Sequence, residues 1–176
     1  DSGLIMPPAI APIQVVICPL VRKNATVDTV AVAHDVAERL RHAGFRVKVD
    51  DRDLHPGQKY YDWEIKGVPL RLEVGPRDVE QGSVFAARRT GGKAPISMDE
   101  LEDGVRTTLD EIAQELRTRA HAHVDDVVKP LPMWGENGLE SPIEEGRIYE
   151  LAFNGSDADA ERLERATGMG LLLSLI

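Results

Sequence analysis

Hydrophobic and polar positions recur along this chain with two periods, and the order of those periods predicts an α/β fold. Ile13 to Leu20 is an apolar run of strand length, the pattern of a buried strand. Val30, Ala33, Ala37 and Leu40 follow at helical spacing, with Asn24 or Thr26 as the expected cap. Asp28 falls in the first turn of that helix, Arg39, Arg41 and His42 fall in the last, and Gly44 closes it. Phe45, Val47 and Val49 then alternate with Arg46 and Lys48, as in a half-buried strand. Strand, helix, strand is a crossover unit, so the first two strands are expected to be parallel.

The pattern continues with a turn at Leu54-His55-Pro56-Gly57 and a short helix from Gln58 to Lys66. Val68, Leu70, Leu72 and Val74 alternate with Arg71 and Glu73 in a strand that Gly75-Pro76 ends. Ser83 to Arg88 reads as a strand, Thr90-Gly91-Gly92 as a tight turn, and Ala94 to Ile96 as the return strand. Ser97-Met98-Asp99-Glu100 has the form of a capping box. It precedes a long helix whose stripe is Leu101, Val105, Leu109, Ile112 and Leu116. These elements make a first domain over residues 13–123, preceded by a lead-in over 1–12. Residues 124–142, rich in Gly and Pro, read as a linker. A small α+β domain over 143–176 follows, with a strand at Arg147 to Phe153, a helix at Asp157 to Thr167 closed by Gly168, and a strand from Leu171. The chain stops inside that strand and begins at Asp1, so an excised or processed form is expected.

Charge narrows the function. A net charge of −9 argues against a general nucleic-acid binder. Residues 59–93 differ, with seven basic side chains against five acidic ones, so the middle of the chain is locally basic. Arg outnumbers Lys by 15 to 6 and acidic positions are many, a pattern that suits a halophilic source. Cys18, the single cysteine, excludes an internal disulfide and reads as a small core residue in a reducing, cytoplasmic setting. No apolar run has the length of a membrane span, and no signal peptide is visible. Neither a glycine-rich phosphate loop nor a nucleophile-and-base motif is present, so an independent enzyme is the weakest reading. His121 and His123 stand two apart, which on a helix splays the rings, and both read as surface residues. Asp50, Asp51 and Asp53 surround Arg52 and read as a loop of solvated carboxylates rather than a magnesium site.

Six segments carry a resemblance: Gly3-Leu4-Ile5-Met6-Pro7-Pro8, Ala11-Pro12-Ile13-Gln14-Val15-Val16, Asp50-Asp51-Arg52, Pro56-Gly57-Gln58-Lys59-Tyr60, the stretch from Trp63 to Arg71, and Gly75-Pro76-Arg77-Asp78. Together and in this order they resemble prolyl-tRNA synthetases of the archaeal/eukaryotic type. The resemblance implies a mixed five-stranded sheet flanked by helices, the anticodon-binding domain of a class II synthetase. It implies a tRNA partner, namely the proline anticodon stem-loop. The catalytic domain, which uses ATP and magnesium, is not in this chain, so no amino-acid activation and no cofactor are expected here. Parent enzymes of this type are homodimers chiefly through that domain, which leaves a monomer as the expectation for this segment.

By the same resemblance, Tyr60, Glu64, Arg71, Arg77, Asp78 and Lys93 match the anticodon-contacting positions. The chemistry is apt. Proline anticodons share two guanines, whose acceptor edge suits Arg or Lys and whose N–H donors suit Asp or Glu. Unstacked bases in an RNA loop rest on aromatic rings such as Tyr60. Spacing alone fits surface ion pairs among Glu64, Arg71 and Asp78, and the motif set favours the anticodon role. Arg77 stands where the family commonly has Lys, which keeps the charge and changes the hydrogen-bond geometry. Lys59 and Arg88 read as solvated surface, with phosphate contact as the alternative. The small domain of these enzymes often holds zinc through four cysteines. Asn154 replaces one of them and no cysteine follows Cys18, so no zinc is expected. The rival reading is a related anticodon-type domain that serves as an RNA- or protein-interaction module.

Overall fold

The computed structural model of this chain describes residues 3–22, 26–132, 134–135, 138–139, 143–151, 153 and 156–170. Two compact units divide it, Asp1–Thr118 and Arg119–Ile176.

The first unit carries the sheet. β1 (Val15–Pro19) is buried throughout, α1 spans Thr29–His42 and β2 spans Val47–Val49. α2 (Pro56–Ile65) leads into β3 (Leu70–Val74), and the short α3 (Pro76–Glu80) into β4 (Ser83–Arg88). β5 (Lys93–Ser97) completes the sheet, and α4 (Leu101–Val127) follows. The strand order is β2-β1-β3-β4-β5, with β1 parallel to both β2 and β3 and the last three strands antiparallel. This is the mixed five-stranded α/β sheet that the sequence implied, including its parallel first pair.

Alternation along β3 decides which face is which. Leu70, Leu72 and Val74 join Val15, Ile17 and the apolar stripes of α1 and α4 in the main core. The opposite face holds a smaller core of Val16, Cys18, Trp63 and Val68, with Ile13 and Tyr60 packed against it. Trp63 and Tyr60 belong to α2, so that helix covers part of the face to which Arg71 points. At about 25 cal/mol per Å², burying such apolar side chains is the dominant favourable term. Among the described residues, no helix is long and apolar enough to cross a membrane.

Several local expectations change. Asp28, not Thr26, caps α1, its carboxylate accepting from the Val30 and Ala31 N–H groups at 3.0 and 3.1 Å. A carboxylate there satisfies free amides and complements the helix dipole; Asn24 lies outside the described residues. α2 begins two residues early because Pro56 suits a first helical position. The capping box at Ser97 does not form. Ser97 ends β5, and its hydroxyl accepts from the Asp99 N–H at 3.3 Å instead.

In the second unit the expected linker contains strands. α4 runs to Val127, and β6 (Val128–Pro130) pairs in parallel with β9 (Ile148–Glu150). Between them β7 (Trp134–Gly135) pairs with β8 (Gly138–Leu139). α5 (Asp157–Thr167) has the reciprocal capping box, between Ser156 and Asp159, and ends at Gly168. The strand expected from Leu171 lies outside the described residues.

Candidate nucleic-acid interface

Strand register builds the site. Val16 pairs with Arg71, Arg71 with Ala87, and Ala87 with Lys93, so four strands place these residues in one lateral row. Cross-strand partners share a face. Two basic residues therefore flank a methyl group, and the space above Ala87 is left open. A cleft of about 190 Å³ results, lined among others by Val16, Trp63, Glu64, Arg71, Ala87 and Lys93. It is smaller than the roughly 300–1,000 Å³ of a small-molecule site, a scale that suits a single ring system.

α2 forms the wall of this cleft, and a buried carboxylate at the end of β2 holds it there. Asp50 is only 2% exposed. Its oxygens accept from Trp63 Nε1 at 2.6 Å and from Arg52 Nε and Nη2 at 2.8 Å each, and its backbone carbonyl accepts from Lys59 Nζ at 3.1 Å. The Arg52 guanidinium holds the Asp50 carboxyl at a pKa of about 2; burial opposes the shift, and the Trp63 N–H adds to it. Asp50 is thus no solvated carboxylate and Lys59 no surface lysine, contrary to the sequence reading. A burial that sequence spacing does not reveal joins them. Arg88 is half-buried, paired with Glu111 at 3.3 Å and Glu115 at 2.8 Å on α4.

So anchored, α2 presents Tyr60 and Glu64 one turn apart, toward β3. The Arg71 guanidinium lies over the Tyr60 ring, 3.8 Å from its centroid. Its Nη1 donates to Glu64 Oε1 at 3.0 Å, while Nε and Nη2 donate to Glu73 Oε1 at 3.2 and 3.1 Å. Lys93 Nζ reaches the same Glu73 oxygen at 3.4 Å. Burial, followed by the Glu73 carboxylate, pushes the Tyr60 phenol above its ordinary range, so it stays neutral. Cys18, on the same face of β1, is pushed up to about 12, chiefly by burial, and is a core thiol.

Four of the six candidate residues, Tyr60, Glu64, Arg71 and Lys93, thus meet in one cluster. Arg77 and Asp78 do not join it. They lie on α3, beyond the far end of β3, with Arg77 exposed and Asp78 half-buried. Asp78 folds back over Gly75, where a Cβ would stand 2.6 Å from its Oδ2, so a larger residue there would push the Asp78 carboxylate aside. Sequence reasoning missed Glu73, although alternation along β3 sets it two residues from Arg71 on the same face. Among the described residues, no group of three or more His, Cys, Asp or Glu side chains is placed to hold a metal.

The model of the anticodon binding domain family matches residues 14–119, which contain the whole sheet. The chain belongs to that family. Among curated relatives, this anticodon-binding domain chain is 49% identical over 173 residues to the proline–tRNA ligase of Methanosarcina mazei, covering 98% of the chain and 35% of the relative. It is 45% identical over 166 residues to that of Thermococcus kodakarensis, covering 93% and 34%. The crystal structure of prolyl-tRNA synthetase from Cryptosporidium parvum, complexed with L-proline and AMP, matches with a TM-score of 0.69 at 38% identity, over 76% of this chain and 29% of that one. The chain therefore spans about a third of the length of the relatives it matches.

Proposed function

We propose that this chain is the anticodon-binding part of a proline–tRNA ligase and that its sheet face reads the guanines shared by proline anticodons. The observation that carries the proposal is a cleft of base-sized dimensions lined by Arg71, Lys93 and Glu64, with Tyr60 stacked against the Arg71 guanidinium. Arg71 and Lys93 offer donors to the acceptor edge of guanine, Glu64 offers an acceptor to its N–H donors, and Tyr60 backs the Arg71 guanidinium from beneath. Arg77 and Asp78 repeat the cation-and-carboxylate pair on α3 and are assigned the other guanine. An acidic chain can serve this role because the basic side chains are gathered locally.

The parent enzyme attaches proline to tRNA in the cytoplasm, using ATP and magnesium in a catalytic part that this chain does not include, and acts as a homodimer. The chain alone is expected to bind RNA without activating proline.

Fluorescence-anisotropy titration of a labelled proline anticodon stem-loop, beside loops with either guanine changed to adenine, tests the proposal at fixed salt. Preference for the native loop, lost in Arg71→Ala, supports it. Equal, weak binding of every loop rejects it in favour of a protein-interaction module.

A further inference from the structure

We infer that Glu73 is a positioning residue for base reading: its buried carboxylate fixes the Arg71 guanidinium, while Glu64 is the partner that an incoming base replaces. The inference rests on the guanine reading proposed above. A guanidinium carries five N–H donors in a planar fork, and what it can read depends on how the fork is turned. Here Glu73 Oε1 takes the Nε and Nη2 donors, and Glu64 takes Nη1.

The two carboxylates are not equivalent. The Glu73 side chain is 12% exposed, close to the 11% of Arg71, whereas that of Glu64 is 48% exposed. An exposed ion pair is weak and exchanges readily with solvent or ligand. Breaking a buried pair leaves an uncompensated charge, so the Glu73 side of the fork stays put. Tyr60 lies against the flat face of the guanidinium and further limits its rotation. Ala87 is the cross-strand neighbour of both Arg71 and Lys93 and leaves their open side to the cleft. A base entering there meets the Nη1 end, displaces Glu64, and leaves that carboxylate able to accept from the N–H donors of guanine. Glu73 also holds Lys93, so one carboxylate keeps two mutually repelling cations side by side.

Two measurements on the 176-residue chain test this. In ¹⁵N NMR of the free protein, Glu73→Gln should speed exchange of the Arg71 Nε–H with water by about tenfold, the weight of one charge-assisted hydrogen bond, while Glu64→Gln leaves it nearly unchanged. In the stem-loop titration, Glu73→Gln should weaken the native loop by about tenfold and reduce its preference over the adenine loops. It should add nothing in an Arg71→Ala background, where a merely structural residue would cost the same again. Glu73→Asp keeps the charge one methylene short and should fall between wild type and Arg71→Ala in preference. Unchanged Nε–H exchange, an additive double variant, or full preference in Glu73→Asp overturns the inference and leaves the anticodon reading standing. A wild-type chain that binds all loops equally removes the reading itself, and the role of Glu73 in it, even where the Arg71 Nε–H is protected.

Discussion

The indole N–H of Trp63 donates to the Asp50 carboxylate at 2.6 Å, and through this bond the end of β2 holds the helix that walls the cleft. Trp63 sits in the last turn of α2, between Tyr60 and Glu64, so its bond fixes the helix where both candidate side chains leave it. Asp50→Asn is expected to destabilise the first unit by about 1–3 kcal/mol, since Arg52, Trp63 and the carboxylate lose charge-assisted bonds together. Urea unfolding at neutral pH measures this.

The same carboxylate gives a pH dependence. Its folded-state pKa, about 2, lies below the ordinary 3.8, so protonation is harder in the folded protein than in the unfolded one. The stabilisation is therefore complete above the ordinary value and is lost as pH falls through about 2. The stability gap between wild type and Asp50→Asn should close across that window. A gap that stays constant down to the lower limit would show that Asp50 stabilises by packing alone.

Ala87 leaves the cleft open because it is small. Ala87→Leu should fill the space between Arg71 and Lys93 and reduce stem-loop affinity by at least about tenfold. Because the added atoms enter an existing cleft, melting should change by less than the roughly 1–3 kcal/mol cost of overpacking a filled core. Anisotropy and thermal unfolding of one variant separate the two effects.

The candidate residues form two groups, Arg71 with Tyr60, Glu64 and Lys93, and Arg77 with Asp78. Residues that share no partner contribute nearly additively. Arg71→Ala and Asp78→Ala are expected to relax discrimination at different guanines, each by about 1–3 kcal/mol, and the double variant should show the sum. Loss of discrimination at the same guanine in both variants would mean that α3 and the cleft read one base together.

Cys18 is buried, and burial chiefly pushes its thiol up to about 12, so almost no thiolate exists at neutral pH. Iodoacetamide should leave it unmodified in the native protein and label it readily in denaturant. Mass spectrometry of the intact chain reads both states, and rapid native labelling would mean that the β1 face opens.

Periodicity by itself determined the order of the elements and their buried faces, and the family resemblance supplied the mixed five-stranded sheet. The buried run at β1, the stripes of α1 and α4, and the alternation along β3 each report which side of an element faces apolar neighbours, and that is a local property. The six ordered motifs determined the family, because they mark positions on strands, turns and the short helices α2 and α3 that are themselves set locally. Alternation even put Arg71 on the face away from the main core. Tertiary structure decided the rest. Only the register across β1, β3, β4 and β5 sets Lys93 in line with Arg71, since their separation along the chain says nothing of lateral pairing. Only packing buried Asp50 and Lys59, which as letters look like solvent-exposed charges. Glu73 stood two residues from Arg71 in plain view, but the role inferred for it depends on Lys93 arriving from another strand and Tyr60 from a helix. A charge reads as surface until the fold brings it the partners that make its burial favourable.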